Sequence, residues 1–226
     1  MYKKLLLALL ASSAIASSIF ADIARVEAGV GVWKQETSST SITGTKTTYD
    51  KENDTYVWAF IKHPAPIIPN IRIEHVKTTS VNAWNETTEF AQIDVIPYYN
   101  ILDNTGWITI DLGLDIKSIS LDTVHASMNM SDDFVLPLGY LRTRFQLPLS
   151  GLGAEADAKY VSYSDNTVYD ARIKLDYTFD ISPVIQPAIE VGYRVQKIET
   201  DELLYTTLGK IDFDFSGFYA GVMIRF

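Results

Sequence analysis

The chain of 226 residues contains no cysteine. Disulfides are therefore excluded, and backbone pairing and side-chain packing alone must hold the fold. Basic residues are also few, because 19 Lys and Arg stand against 28 Asp and Glu, and the net charge at pH 7 is −9. This acidity argues against a nucleic-acid partner.

A long apolar run is missing as well. The apolar stretch at residues 5–11 is much shorter than the roughly 20 residues that a membrane-spanning helix needs. It follows two lysines and leads through small residues to Ala21, an order typical of a Sec-type secretory signal peptide. We expect residues 1–21 to be removed, although Ile19 leaves cleavage a few residues earlier open. No linker or change of composition divides residues 22–226, which predicts a single domain.

A sustained helical period is absent after residue 21, whereas alternation with period two recurs along most of the chain. Between residues 108 and 117, isoleucine and leucine take one face while threonine, aspartate, glycine and lysine take the other. This pattern predicts an all-β chain. We place ten strands near residues 23–34, 54–63, 70–78, 88–99, 106–119, 134–147, 152–163, 167–179, 184–198 and 211–226.

The links between these strands alternate in length. Short turns are expected at residues 64–69, 100–105, 148–151 and 180–183. Longer polar loops are expected at residues 35–53, 79–87, 120–133 and 199–210. The link at 164–166 is a short exception. Short turns on one side and long loops on the other are typical of outer-membrane barrels, whose strand number is even.

The sequence therefore predicts a single antiparallel up-and-down transmembrane β-barrel of about ten strands, with eight left open. If the amino end of the first strand lies in the periplasm, the short turns are periplasmic and the long loops are extracellular. Loop 35–53 is then the main candidate surface for external contacts, because it is long, polar and rich in serine and threonine.

Period two alone does not say which face lies inside, because a soluble lipocalin-like barrel in the periplasm would bury its apolar face. Aromatic residues near the strand ends favour the membrane alternative, in which they form girdles at the two interfaces. The expected periplasmic girdle contains Tyr98, Tyr99, Trp107, Tyr177, Phe179 and Phe226. The expected outer girdle contains Tyr56, Phe134, Tyr160, Tyr163 and Tyr169. We therefore expect the apolar face to contact lipid in the outer membrane of a Gram-negative bacterium.

The last predicted strand changes parity. Phe213 and Phe215 occupy one face, whereas Phe218 and Phe226 occupy positions of the opposite parity. A bulge at residues 216–217 would restore a continuous apolar face. A strand that stops on an aromatic residue is typical of the segment that the barrel assembly machinery recognises, so we expect Phe218 and Phe226 to form that assembly signal.

The face opposite the apolar one carries ten acidic and ten basic side chains. By parity we place in the lumen Arg25, Glu27, Arg72, Glu74, Asp94, Asp111, Asp115, Lys117, Arg142, Arg144, Glu155, Asp157, Lys159, Asp170, Arg172, Lys174, Asp176, Glu190, Arg194 and Arg225. Balanced charge in a narrow barrel predicts mutual ion pairing that fills the lumen and holds the strands in register. A narrow channel or transporter for small ions or solutes is the alternative. Gly29 and Gly31 are expected to leave room for large lumen neighbours.

Candidates for enzymatic chemistry are few. His125 and Ser127 have the spacing of a His-x-Ser pair, and Asp122 or Asp132 is available to orient the imidazole. This spacing resembles that of outer-membrane lipid A deacylases, so a lipid-modifying hydrolase is a second alternative. The segment reads more strongly as an extracellular loop, because it is polar.

Metal and cofactor sites are not predicted. His63 and His75 are expected on adjoining strands, but too far apart along them to share a metal ion. No glycine-rich phosphate loop, metal-binding helix motif or nucleophile elbow occurs in the sequence.

Several segments resemble a family of Gram-negative outer-membrane β-barrel proteins of unassigned function. The similarity covers nearly the whole chain after residue 21, and it is carried by residues 29–33, 63–70, 111–114, 190–194 and the last strand. The resemblance implies the barrel fold and the outer-membrane compartment. It brings no catalytic or ligand-binding residues to transfer, so the expected function is a non-enzymatic structural or surface-contact role.

Overall fold

The computed structural model describes residues 25–40, 44–65, 67–81, 87–125, 128–164, 166–182, 184–200 and 211–226. The predicted signal peptide lies outside these ranges. The described residues form β1 Arg25–Thr40, β2 Lys46–Thr48, β3 Glu52–Lys62, β4 Asn70–Val81, β5 Thr87–Thr105, β6 Ile108–His125, β7 Met128–Gln146, β8 Leu152–Tyr163, β9 Asn166–Thr178, β10 Gln186–Thr200 and β11 Ile211–Arg225. Within these ranges no helix is long and apolar enough to cross a membrane.

Ten of these strands close into one antiparallel barrel. Consecutive strands pair with each other from β3 to β11, β1 pairs with β3, and β11 returns to pair with β1. The short strand β2 pairs with residues 38–40 of β1. These residues lie at the end of the barrel opposite the start of β1 and the end of β11, which we call the upper end. The predicted fold class, with ten strands rather than eight, is confirmed.

The strands are steeply tilted. Paired residues can be followed once around the barrel from Phe134 on β7, through Gln92, Gly31 and Asp176, and the path returns to β7 at Gln146. This displacement of twelve residues is the shear of the barrel, and for ten strands it requires a tilt of about 40° from the axis. Residues at equal depth on neighbouring strands are therefore offset in register.

Apolar side chains cover the outside of the barrel. Ile73, Leu114 and Ile173 are each about half exposed, as are most of their outward neighbours. Charged side chains of the opposite parity are buried. Because an exterior of this kind is unfavourable in water and matches the lipid-facing band of a transmembrane barrel, the structure has the inside-out arrangement and not that of a lipocalin-like barrel.

Two of the predicted loops consist largely of paired strand. β6 continues to His125 and β7 begins at Met128, with residue pairs up to the tip, so the loop expected at 120–133 is wrong and this segment is a long hairpin. In the expected loop 35–53, β1 extends to Thr40 and β2 adds three residues. The prediction took polar residues as a sign of a loop. Outside the lipid, however, an outward-facing strand residue no longer has to be apolar.

The turn expected at residues 100–105 lies a little later. β5 runs irregularly to Thr105, with register shifts after Asn100 and Leu102. The turn itself falls at Gly106 and Trp107, which have φ values of 60° and 71°. The positive φ favours glycine at the first of these positions.

The predicted aromatic girdles are only partly correct. Tyr99, Trp107, Tyr177, Phe179, Tyr160 and Tyr163 are exposed on the outside. Tyr56, Tyr98 and Phe134 are buried in the lumen, so their assignment to the girdles is wrong. Each shares the parity of the inward face, which sequence distance from a strand end does not reveal.

The bulge predicted in β11 is also wrong. The pairing of β11 with β1 and with β10 runs through Ser216 and Gly217 without a shift. Phe215 is therefore buried inside the barrel, and Phe213 packs against the same internal cluster. Phe218 has the opposite parity and is exposed to the outside.

Candidate functional site in the barrel lumen

The charged residues predicted to face the lumen are brought together there. All except Arg25 are buried. Arg25 lies at the start of β1 with its side chain about half exposed, and it pairs with buried Glu27. Their ion pairs join these residues into two groups, which lie one above the other along the barrel axis.

The lower group lies toward the end of the barrel at which β1 begins and β11 ends. Arg144 binds Asp176 through both terminal nitrogens, at 2.6 and 2.9 Å, and Arg225 Nη2 lies 2.9 Å from the same carboxylate. Glu155 Oε2 accepts a hydrogen bond from Arg142 Nη2 at 2.6 Å. The members of this group are Arg25, Glu27, Asp111, Arg142, Arg144, Glu155, Lys174, Asp176, Glu190 and Arg225.

The upper group surrounds two buried lysines. Lys117 Nζ lies 2.7 Å from Asp94 Oδ1, and Lys159 Nζ lies 2.7 Å from Glu74 Oε2. Asp170 accepts a hydrogen bond from Arg194 Nη2 at 2.6 Å. The members of this group are Arg72, Glu74, Asp94, Asp115, Lys117, Asp157, Lys159, Asp170, Arg172 and Arg194.

Each group contains five acids and five bases. Neither group therefore carries a net formal charge, which is the condition under which buried charges are tolerated. Asp115 is the weakest member: neither of its oxygens has a hydrogen-bond partner among the described residues, and its nearest cation, Lys117 Nζ, lies 3.9 Å away.

Aromatic rings on β3 connect the two groups. Tyr56 Oη and Trp58 Nε1 donate hydrogen bonds to Glu190 Oε1 at 2.7 and 3.0 Å. Arg72 of the upper group lies 4.7 Å from the centre of the Trp58 ring, and Lys174 of the lower group lies 4.9 Å from it. Cations at this distance are attracted to the ring face.

Glycines on β1 make space for these rings. A Cβ atom on Gly29 would lie 2.5 Å from Trp58 Nε1, and one on Gly31 would overlap Tyr56 and the backbone of Ala220. The expectation that Gly29 and Gly31 leave room for large lumen neighbours is confirmed.

Above the upper ion-pair group, part of the lumen lining becomes apolar, whereas inward positions on β1, β3 and β4 remain buried and polar. These polar residues are Gln35, Thr37, Asp54, Thr78 and Ser80. We define the apolar cap as Trp33, Phe90, Ile119, Leu121, Leu138, Ile198, Phe213 and Phe215. The ring of Phe90 packs edge-on against Phe213 and Phe215, with centroid distances of 4.8 and 5.1 Å. Arg194 lies 4.7 Å from the Trp33 ring centre and joins the cap to the charges below.

Sequence reasoning missed the apolar cap. It divided each strand into one apolar face and one charged face, whereas the inward face changes chemistry partway along several strands. The signal that could have found the cap was present in β11, where Phe213 and Phe215 share the inward parity of Tyr219 and Arg225.

Solved structures provide the comparison for this geometry. The chain is 8% identical to the outer-membrane protease OmpT of Escherichia coli, with a TM-score of 0.53 over 92% of this chain and 97% of that one. It is 9% identical to the attachment invasion locus protein Ail of Yersinia pestis, with a TM-score of 0.42 over 90% of this chain and 99% of that one. It is 11% identical to Neisserial surface protein A, with a TM-score of 0.37 over 90% of this chain and 97% of that one. The chain has the fold of an outer-membrane β-barrel.

At these identities the likeness shows the fold and not an activity. No protein-family model and no curated protein sequence matches the chain. What the outer-membrane barrel does must therefore be argued from its own side chains.

The lower end of the barrel is open as a cavity of about 570 Å³. It is lined by Arg25, Asn104, Thr109, Arg144, Gln146, Leu149, Ser150, Gly151, Tyr177, Thr178, Asp180, Gln186 and Arg225. Arg144 and Arg225, which line this cavity, are already bound to Asp176, so the cavity reaches the lower ion-pair group.

Part of the candidate catalytic segment lies outside the described residues. His125 ends β6, and Ser127 lies outside the described residues. Asp122 is exposed, on the tall hairpin of β6 and β7.

The imidazole rings of the two histidines considered for metal binding lie within hydrogen-bond distance of backbone carbonyl oxygens. His75 Nδ1 lies 2.9 Å from the carbonyl oxygen of Gln92 on β5. His63 Nε2 lies 3.1 Å from the carbonyl oxygen of Pro69, across the turn between β3 and β4. Among the described residues, no group of three or more His, Asp or Glu side chains could hold a metal ion.

Proposed function

We propose that the chain is a sealed, non-enzymatic outer-membrane barrel that acts as a structural element of the membrane and as a surface for external contacts. The observation that carries this proposal is the double filling of the lumen, first by charge-balanced ion pairs and then by the apolar cap. A narrow channel would need a continuous polar path through both.

The ion pairs oppose conduction because almost every charged group already has a partner of opposite charge. A permeating ion would have to displace buried partners such as Arg144 and Asp176 at 2.6 Å, and breaking a buried pair is strongly unfavourable. The cap opposes conduction in a second way, because its packed apolar side chains fill space that a hydrated ion would need. The polar residues Gln35, Thr37 and Ser80 beside it are already hydrogen-bonded to one another. The two layers act in series, so opening one would leave the other closed.

Recording from the purified protein in planar lipid bilayers tests the seal. We expect the wild-type barrel to show no unitary conductance. A variant that opens the apolar cap and both ion-pair groups should conduct. It combines Phe90→Ala and Phe215→Ala in the cap, Lys117→Ser and Asp170→Ser in the upper group, and Arg144→Ser and Asp176→Ser in the lower group. Heat-modifiable migration would establish that this variant is folded. Unitary currents from the wild-type protein would overturn the proposal and favour the channel.

The non-enzymatic part of the proposal has its own test. Ser127→Ala should leave lipid A acylation of intact cells unchanged. Loss of a deacylated lipid A species in this variant alone would favour the hydrolase instead.

The contact role is supported by the reach of the strands beyond the lipid. On the side opposite the chain termini, β6 and β7 continue as a paired hairpin to His125 and Met128. Replacing this hairpin with a short turn should leave the barrel folded and reduce the attachment of cells to external surfaces. Unchanged attachment would argue against the contact role.

We further propose that β11 is the segment on which the barrel assembly machinery acts. Phe218 is exposed on its outer face, and Phe226 exchanges backbone hydrogen bonds with Val26 where the barrel closes. Phe226→Asp should lower the outer-membrane yield. Unchanged yield and heat-modifiable migration would contradict this role.

A further inference from the structure

One strand of the barrel wall loses a neighbour where it leaves the membrane. β7 is paired with β6 along its whole length, but its pairing with β8 ends at Gly139 and Tyr160. β8 turns back at Tyr163 to pair with β9. We define the β7 edge as residues 133–138, which pair with β6 on one side and have no strand partner among the described residues on the other. β8 continues beside the lower half of this edge without pairing to it, as far as Tyr163, and residues 133–135 extend beyond it.

Strand edges of this kind present a row of backbone donors and acceptors. In an antiparallel pair, alternate residues direct their N–H and C=O groups toward the partner strand, and the intervening residues direct them away. The six residues of the edge span about 20 Å at 3.3 Å per residue. Pro137 lies on this edge, a position where the missing N–H of proline is tolerated.

The β7 edge is held firmly from inside. Leu138 is completely buried in the apolar cap, Phe134 is buried beside it, and Leu136 packs against the same cluster. The alternate residues Asp133 and Val135 face outward and are exposed, Val135 to 61%. An added strand would therefore meet a preformed template, which lowers the ordering cost of binding.

The charge around the edge is of one sign. Residues 118–138, which form the upper part of β6 and β7, contain three aspartates and no lysine or arginine. Asp122 and Asp133 are both exposed on this hairpin.

We propose that the β7 edge binds an extended, basic segment of another protein as an additional β-strand. Backbone hydrogen bonds to residues 133–138 would supply the affinity, as in other cases of strand addition. Lysine or arginine side chains next to Asp133 would supply the selectivity, and Asp122, one strand further away on β6, would add to the negative potential. The inference rests on the surface-contact role proposed above and names the class of partner.

A second copy of this chain fits the edge poorly. Pairing two β7 edges would bring the acidic hairpins of both copies together, and like charges across neighbouring strands are destabilising. A basic strand is free of this repulsion, so the charge of the hairpin selects the hetero-partner.

The absence of cysteine allows a direct test by cross-linking. The probe is a synthetic peptide of alternating lysine and valine that carries one thiopyridyl-activated cysteine. It is added to Val135→Cys protein in phospholipid vesicles, and disulfide formation is followed by mass. The matched control is Ser216→Cys, on the outer face of β11. We expect cross-linking at position 135 to be about tenfold faster than at position 216.

Two changes separate strand addition from simple charge attraction. A peptide with alternate backbone nitrogens methylated keeps its charge but loses the donors of one edge, and it should not cross-link. Reversing the charge with Asp122→Lys and Asp133→Lys should abolish the preference for lysine and favour the matching glutamate peptide. The control Glu36→Lys, elsewhere on the exposed surface, should have no effect.

Equal cross-linking at positions 135 and 216, equal capture of the methylated peptide, or no capture of the lysine peptide would each overturn the proposal. These results are independent of the conductance test. If the barrel shows no conductance and does not capture the peptide, only the proposed binding at the β7 edge is refuted. If it conducts and still captures the peptide, only the proposal of a sealed lumen is refuted.

Discussion

The two parts of the lumen hold the barrel in different ways. In the lower and middle parts, charged side chains occupy many inward positions beside aromatic rings, and almost every charged group has a specific partner, as with Arg194 and Asp170 at 2.6 Å. In the apolar cap, inward positions such as Phe90 and Ile198 are fully buried and pack without directional bonds. We infer from this difference that directional ion pairs fix the register of neighbouring strands. Close packing in the cap instead fills the lumen without specifying register.

The difference predicts unequal sensitivity to single substitutions. Removing one partner of a buried ion pair leaves the other charge without compensation, whereas removing part of an apolar side chain leaves a cavity that neighbours can partly fill. Both effects can be measured as changes in the free energy of unfolding, by urea titration of the vesicle-inserted protein.

The largest loss is expected when a buried charge loses its partner. Asp170→Ala removes the carboxylate that binds Arg194 and lies 3.5 Å from Lys117 Nζ, and it should lower the free energy of unfolding by about 3–5 kcal/mol. The double variant Asp170→Leu with Arg194→Leu should recover much of this loss. A single variant as stable as wild type would mean that these ion pairs do not hold the register.

A truncation in the apolar cap should have a somewhat smaller effect. Ile198→Ala removes a fully buried side chain, and the resulting cavity should cost about 2–5 kcal/mol. The smaller change Ile198→Val should cost only about 0.5–1.5 kcal/mol. Equal stability of the alanine and valine variants would show that the cap is not closely packed.

Overpacking of the wall at Gly29 comes next. Gly29→Ala places a methyl group 2.5 Å from Trp58 Nε1, and forcing the ring away should cost about 1–3 kcal/mol. Gly139→Ala is the matched control, because the nearest atom to its Cβ would be the carbonyl oxygen of Tyr160 at 3.6 Å. If both variants behaved alike, the room beside Trp58 would have no structural importance.

The smallest effect is expected at Asp115. Its carboxylate accepts no hydrogen bond from the described residues, so Asp115→Asn breaks none and should cost less than the roughly 0.5–1.5 kcal/mol that one hydrogen bond contributes. Asp170→Asn, in the same ion-pair group, should cost clearly more. A large loss at Asp115 would show that total charge, rather than specific pairing, governs this group.

Much of the fold could be predicted from local pattern. Period two placed all ten barrel strands and the inward charged side chains, because alternation is a property of each strand alone. The same rule failed in β11, where it predicted a bulge beside Gly217 instead of inward Phe213 and Phe215. It also failed for the hairpin of β6 and β7, whose serines and aspartates were interpreted as a loop.

The sequence by itself determined that this chain is an all-β barrel with charged residues on one strand face. Only the tertiary structure decided that these charges divide into two balanced groups, that a cluster of apolar side chains lies above them, and that the β7 edge has no second strand partner among the described residues. The physical reason is that these features depend on shear, tilt and unequal strand heights. Those quantities exist only once β11 has paired with β1.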